Sequence, residues 1–217
     1  MASQLNTAQL NTSEKDSIVE LYEKRLREYG PSHKTVGWGN ASGQRLRFEE
    51  LFRGIDPRGA RILDVGCGLG DLVPYLDSIT DGDYEYLGID IAPALISNAK
   101  RSFGDTNRQF VSANILDWTD DQSFDIAVLS GALSFRVSDN EALAKAVLTR
   151  MFEKTTQCVC ANFLTSYVDY QLPKNFHYEP EKLFAFARTL SRRTKLNHDY
   201  PLWEFTLQIF HNQEPTQ

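Results

Sequence analysis

The stretch Ile62-Leu63-Asp64-Val65-Gly66-Cys67-Gly68-Leu69-Gly70-Asp71-Leu72, ILDVGCGLGDL, decides the fold. An apolar run closes on an acid and then meets glycines at every second position. This is the signature of a strand that turns sharply into a helix, with backbone exposed at the turn for a nucleotide-like ligand. The dinucleotide fingerprint G-x-G-x-x-G needs its last glycine at position 71, but that position is Asp71 and the third glycine has come one residue early, at Gly70.

Downstream, strand and helix patterns alternate. ARILDV (60–65) reads as a strand and DLVPYLDSI (71–79) as its helix. YEYLGID (84–90) is a second strand, followed by APALISNAKRSF (92–103), a helix with Pro93 in its first turn. RQFVSA (108–113), FDIAVLS (124–130) and CVCANFL (158–164) supply three more strands, with a helix over Asp139–Phe152 and another in PEKLFAFARTL (180–190). The chain closes on a hairpin turning near Asp199-Tyr200-Pro201, since Phe205, Leu207 and Ile209 alternate with polar residues. Such alternation implies an α/β fold, a mostly parallel sheet covered on both faces, with an antiparallel C-terminal pair.

Upstream, residues 1–13 are polar and expected to fray. Ile18, Leu21, Tyr22 and Leu26 fall at helical spacing, stopped by Gly30-Pro31, and QRLRFEELF opens a second helix. Residues 1–60 therefore read as an N-terminal helical cap, and residues 61–217 as the α/β core.

At 217 residues, with 41% hydrophobic and 24% charged residues, the chain is one ordinary globular domain. A net charge of −6 argues against general nucleic-acid binding. The densest basic run, Arg188 to Lys195, reads as the solvated end of a helix rather than a phosphate patch. No apolar run reaches the ~20 residues of a membrane span, and the polar start has no signal-peptide core. The default location is cytoplasmic, as a monomer or homodimer. Three cysteines make no disulfide framework. Cys158 and Cys160, on one strand face, read as core rather than zinc ligands, so no metal is expected.

Charge discriminates between ligands for the glycine turn. Asp64 and Asp71 would flank a pyrophosphate adversely, by roughly a kcal/mol or more per close pair. A sulfonium with an ammonium is favoured by the same acids. Asp90, 20 residues after Gly70, suits the ribose of either kind of cofactor.

ILDVGCGLGDL together with YLGIDIAPALISNAK resembles the first two motifs of class I methyltransferases dependent on S-adenosyl-L-methionine (SAM). FVSANILDW and FDIAVLSGALSF fall where that family has its third and fourth strands, so the resemblance covers about residues 60–212. It implies a Rossmann-like, seven-stranded, mostly parallel sheet with a C-terminal antiparallel hairpin, and a reaction leaving S-adenosylhomocysteine (SAH). It implies a cradle at Gly66, Cys67 and Gly68 under the methionine part. Asp64 would favour the ammonium, Asp90 would hold the ribose hydroxyls, and Ile91 would lie against the adenine. Asn114 stands where the family commonly has an Asp on the adenine amino group, and its amide oxygen can accept that bond. Ile115 would meet the ring by its backbone, with Ser130 and Gly131 beside the sulfonium. Trp118 is a further candidate for touching the adenine.

The acceptor pocket should lie over the same strand ends. Three stretches can form it. The cap offers Tyr22, Tyr29, His33, Trp38 and Arg47, and VGWGNASGQRLRF resembles the amino-terminal lid of small-molecule methyltransferases. Arg47 would pair with the cofactor carboxylate or an anionic acceptor. Phe135 and Arg136 follow the fourth strand. The long stretch TSYVDYQLPKNFHYEP reads as an aromatic lid carrying Tyr167, Tyr170, Phe176, His177 and Tyr178. His177 is the first candidate for general base, with His198 next and Tyr22 a third catalytic candidate.

Where adenine- and amide-methylating enzymes carry an Asn/Asp-Pro-Pro-aromatic tetrapeptide, this chain has SGAL. It also lacks the carboxylates of the magnesium-dependent catechol type. The expected reaction is therefore transfer to an oxygen or nitrogen of a small metabolite, with Arg47, Arg136 and Lys174 hinting at an acidic one. The alternatives are a protein or tRNA methyltransferase, a non-catalytic SAM-binding protein, and an NAD(P)-dependent oxidoreductase.

Overall fold

The computed structural model describes residues 9–37 and 41–212. Seven strands form one sheet: β1 (Arg61–Val65), β2 (Glu85–Asp90), β3 (Arg108–Ser112), β4 (Phe124–Ser130), β5 (Thr155–Leu164), β6 (Thr194–Asn197) and β7 (Glu204–Phe210). Their order is β3-β2-β1-β4-β5-β7-β6. The first five pair in parallel, and β7 runs antiparallel to both β5 and β6. The chain reverses its direction of travel across the sheet between β1 and β4. In an open α/β sheet that switch point leaves a crevice at the carboxyl ends of the strands.

Six helices cover the sheet: α1 (Thr12–Tyr29), α2 (Ala41–Leu51), α3 (Leu72–Thr80), α4 (Pro93–Phe103), α5 (Asn140–Glu153) and α6 (Pro180–Leu190). Alternate residues of each strand feed one of two cores. Ala127 and Leu129 of β4 pack with Val147 and Leu148 of α5, while Ile126 and Val128 pack with Leu76 of α3 and Phe48 and Leu51 of α2. So α2 lies against the face of the sheet, and α1 is the helix that reaches over its carboxyl ends.

Of residues 1–13, read from the sequence as frayed, 1–8 lie outside the described residues, and the rest carry the start of α1. Asn11 caps α1 reciprocally with Glu14: the Asn11 side chain accepts from the Glu14 amide, and the Glu14 carboxylate accepts from the Asn11 amide. A cap of this kind contributes about 1 kcal/mol. Glu14 also accepts from the Ser138 amide at 2.6 Å, and Gln9 donates to Asp117, so the start of α1 is tied to two core loops.

β7 departs from the alternation read in its sequence. Phe205, Leu207 and Ile209 are buried as expected, but Glu204, Thr206 and Gln208 are buried too. Their partners come mostly from α2. Gln208 Nε2 donates to the carbonyls of Leu51 and Arg53, satisfying helix-end acceptors. Arg47 pairs with Glu204, and the Thr206 hydroxyl meets that of Tyr200 at 3.0 Å. A polar stripe that reads as solvent-facing is here the seam that fastens α2.

Around the basic run, Arg188 donates to the carbonyl of Arg192 and Arg193 to that of His211, as at a capped helix end. No helix among the described residues is long and apolar enough to cross a membrane, and no group of three or more metal-binding side chains occurs among them. Cys67, Cys158 and Cys160 are free, buried thiols.

Candidate active site

The glycine turn joins β1 to α3 at the switch point, and its hydrogen bonds answer which ligand it suits. Gly66 and Cys67 both donate their amides to the Ile89 carbonyl, at 2.8 and 3.1 Å. Gly68 donates to Asp90 Oδ2 at 3.0 Å. Three successive amides of the turn are thus taken up by β2. Gly66 has φ +76°, and a Cβ there would sit 2.3 Å from that of Ala132 in the loop after β4. The two loops meet at van der Waals distance only because the side chain is absent. The early third glycine has a packing reason: a Cβ on Gly70 would come within 2.9 Å of the Phe110 ring and 3.1 Å of Phe103.

Beside the turn lies a cavity of about 140 Å³. By the same measure a single water needs roughly 10–15 Å³, so the space fits an extended small molecule. Asp64, Asp71 and Asp90 line it, and among the described residues no lysine, arginine or histidine does. Asp64 accepts a 2.6 Å hydrogen bond from the Tyr86 hydroxyl. Burial pushes its carboxyl up to about 7, with Asp90 and Asp71 adding in the same direction against the Tyr86 bond. Burial also raises Asp90, opposed by the amides of Ala92, Gly68 and Ile91. Three carboxylates around one desolvated space favour a cationic guest and oppose a phosphate. Asp71 is held by Gln44 of α2 at 2.8 Å.

The residues expected to hold a cofactor come together here. Asp64, Gly66, Cys67, Gly68 and Asp90 line the cavity on the side of the turn. Ile91, Asn114 and Ile115 line its far end, and Ser130 lies at the tip of β4. The Asn114 amide oxygen also accepts from the Leu116 amide, and its nitrogen donates to Asp117, so the side chain is fixed in a local turn. The Ser130 hydroxyl is buried with no hydrogen-bond partner among the described residues. Trp118, in contrast, does not line the cavity; it packs on Phe124, with the Lys154 ammonium 5.4 Å from its ring. Trp38 lies outside the described residues.

A second cavity of about 200 Å³ adjoins the first, and Tyr22, Val36, Gly131 and Phe135 border both. Tyr22 packs edge-on against Phe135 with ring centroids 5.6 Å apart. Burial, then the charge of Asp90, holds its hydroxyl well above the usual tyrosine range, so at neutral pH it is a hydrogen-bond donor rather than a base. Arg47 borders this second cavity and not the first. Its Nε donates to both Glu204 oxygens, at 2.9 and 2.8 Å, so its charge is already matched within the protein.

Two candidate bases are corrected. His177 borders neither cavity; its Nδ1 meets the Thr165 carbonyl at 2.7 Å, which makes that nitrogen the protonated one. His198 also borders neither, and its ring rests between Tyr167 and Phe205. The aromatic lid is corrected as well. Tyr178 is a buried strut donating to the Leu133 carbonyl, Phe176 packs against it, and Tyr167 and Tyr170 face solvent. The same loop meets the second cavity through Leu172, Lys174 and Asn175.

Sequence reasoning missed Asn162 and Arg25. Asn162 follows Cys158 and Cys160 on one strand face, a spacing that could have marked it as inward-facing. Arg25 lies three residues after Tyr22, on the same helical face.

A family model described as a methyltransferase domain matches residues 62–154. Rv1506c of Mycobacterium tuberculosis (strain ATCC 25618 / H37Rv), provisionally named a methyltransferase, is 33% identical over 156 residues, covering 68% of this chain and 91% of that protein. Among solved structures, the magnesium protoporphyrin IX methyltransferase ChlM from Synechocystis PCC 6803, with bound SAH, superimposes with a TM-score of 0.68. Its identity is 13%, over 93% of this chain and 99% of that one. DhpI, in a SAM-HEP complex, gives a TM-score of 0.67 at 18% identity, over 92% and 99% of the two chains. A turn that hands its amides to β2, a cavity at the switch point whose charged lining among the described residues is acidic, and these relatives agree: the chain belongs to the class I SAM-dependent methyltransferases, with SAM as its cofactor.

Proposed function

We propose that this methyltransferase moves a methyl group to an oxygen or nitrogen atom of a small-molecule metabolite seated in the second cavity. The observation that carries the reading is the adjacency of the two cavities. The second is about 200 Å³, borders the first through Tyr22, Val36, Gly131 and Phe135, and is walled by α1 and the loop after β5. A space of that kind suits a small acceptor more than a nucleic acid or a folded protein.

SAM supplies an electrophilic methyl group on a sulfonium. The chain's own residues do the rest. Asp64 sets a negative charge where the amino-acid end would lie, and the turn at Gly66, Cys67 and Gly68, pinned to β2, fixes the floor. Asp90 offers carboxylate oxygens to ribose hydroxyls, Ile91 and Ile115 give apolar walls for a purine, and Asn114 stands at its edge. Ser130 lines the first cavity, and its neighbour Gly131 borders both. Tyr22 and Phe135 separate the cavities and exclude water. In-line displacement needs chiefly alignment and desolvation, so an acceptor that is already nucleophilic requires no histidine base. Cys67, Cys158 and Cys160, free and buried, suit a cytoplasmic setting.

The test is methyl transfer from SAM labelled in its methyl group, offered small acids, amines and phenols alongside bulk tRNA and a protein extract. Label in a small molecule, with matching SAH release, is the expected result. Label confined to tRNA or protein would overturn the small-molecule reading, and tight SAH binding with no turnover on any acceptor would point to a non-catalytic SAM-binding protein.

A further inference from the structure

The two cavities carry opposite charge. Among the described residues, the first is bordered by three carboxylates and no cation, whereas the second is bordered by Arg25, Arg47 and Lys174 against a single carboxylate, Glu204. The Glu204 charge is met by Arg47. Arg25 and Lys174 have no ion-pair partner among the described residues. The Arg25 guanidinium lies 5.9 Å from the ring centres of both Tyr22 and Phe135, at the boundary between the cavities.

An independent observation comes from the sheet. Asn162 of β5 sits in register with Ser130 of β4 and Thr206 of β7, and of these three polar residues it is Asn162 that borders the second cavity. Its Oδ1 accepts from the Gly131 amide at 2.9 Å, which fixes the orientation of the carboxamide. Its Nδ2 is buried and has no partner among the described residues, in a side chain only 1% exposed. A buried donor left without an acceptor is destabilising. An acceptor atom delivered from the cavity removes that cost.

We infer that the second cavity is an oxyanion site: the methyl acceptor is a small carboxylate or phosphonate whose charged group lies between Arg25 and Lys174, with Asn162 Nδ2 donating to an oxygen of the same molecule. The inference rests on the reading that this cavity is the acceptor site. It adds the chemical class of the acceptor and the residues that select it. Phe135, Phe163 and Leu172 provide apolar wall beside these groups. A cationic guest in the first cavity and an anionic one in the second attract each other across their boundary, and that attraction is strong where water is excluded. Binding of SAM, whose sulfonium gives it a net positive charge, therefore favours binding of the acid; the preference for anions set by Arg25 and Lys174 does not need that charge.

Benzoate and phenylphosphonate serve as probes, with benzamide as the neutral twin, titrated calorimetrically into protein with and without saturating SAH. Both anions should bind the SAH-loaded protein roughly tenfold or more tighter than benzamide, a difference of about 1.4 kcal/mol. The double substitution Arg25→Ala/Lys174→Ala should remove that preference while SAH still binds. Asn162→Asp keeps an oxygen for the Gly131 amide but puts a negative charge where the donor was, and should abolish anion binding. Should that variant fail to fold, the arginine–lysine pair still decides. Equal binding of benzamide and both anions to SAH-loaded protein would overturn the inference, as would displacement of SAH by benzoate. A protein that prefers the anions but does not bind SAH would instead overturn the methyl-transfer reading and leave the oxyanion site standing.

Discussion

Acidification should weaken SAH binding, and Asp64 sets the size of the effect. In the ligand-free protein, burial among Tyr86, Asp71 and Asp90 holds this carboxyl up to about 7. At pH 6 most of it is then protonated, and at pH 8 most is ionised. The ammonium of the amino-acid end stabilises the ionised form, so the bound-state pKa falls and binding below pH 7 expels a proton. Affinity must therefore rise with pH until Asp64 has titrated, then level off. With a free-state pKa of 7 and a bound-state value well below 6, the dissociation constant should weaken by about tenfold from pH 8 to pH 6. Asp90, also raised by burial, acts in the same sense, and among the described residues no histidine lines the cavity to oppose it. Calorimetry in two buffers of different ionisation enthalpy reads both quantities at once. Proton release should approach one at pH 6 and fall close to zero at pH 8, and Asp64→Asn should bind weakly and flatten the profile. An affinity that is flat or falls with rising pH in the unmodified protein would refute the assignment of the ammonium to Asp64.

Other consequences are sharper in stability than in binding. Gly66→Ala forces a side chain at φ +76° into the Ala132 methyl. We expect a loss of roughly 2–5 kcal/mol in unfolding free energy, from strain and overpacking together, with Ala132→Gly recovering only the overpacking. Chemical denaturation of the single and double variants measures both parts. Arg47→Ala strands the Glu204 carboxylate, which is 4% exposed, and should cost about 3–5 kcal/mol; the double substitution Arg47→Met/Glu204→Met should cost distinctly less. A double-mutant cycle in the same assay separates these outcomes. His177→Ala should leave SAH affinity within about twofold, since the ring borders neither cavity. A hundredfold loss would restore it as a site residue.

Much of this was legible in the sequence because its signals are local. A strand that ends in glycines, a Pro in a first helical turn and a β-branched run each declare themselves within a few residues, and the sheet follows from their alternation. The lining of the first cavity was legible for the same reason: Asp64, Asp90, Asn114 and Ser130 all stand at strand ends, where topology alone sends them to the crevice. The acceptor side was not. His177 and His198 carry suggestive chemistry, but the place of the first depends on how a long loop folds back onto Leu133 and Thr165, and that of the second on the turn between β6 and β7. The polar residues of β7 read as solvent-facing because nothing local to them announces that α2, some 150 residues earlier, supplies their partners. Asn162 was hidden in an apolar strand, and its unmet donor is visible only in three dimensions.

The central claim is that the acidic cavity at the switch point holds the cofactor with its amino-acid end on the glycine turn. A crystal structure of the protein grown with SAH tests this most directly. Ribose hydroxyls are expected within hydrogen-bond distance of Asp90, the purine between Ile91 and Ile115, and the ammonium facing Asp64. SAH in the second cavity, or lying in the first with its purine and ammonium ends exchanged, would contradict it.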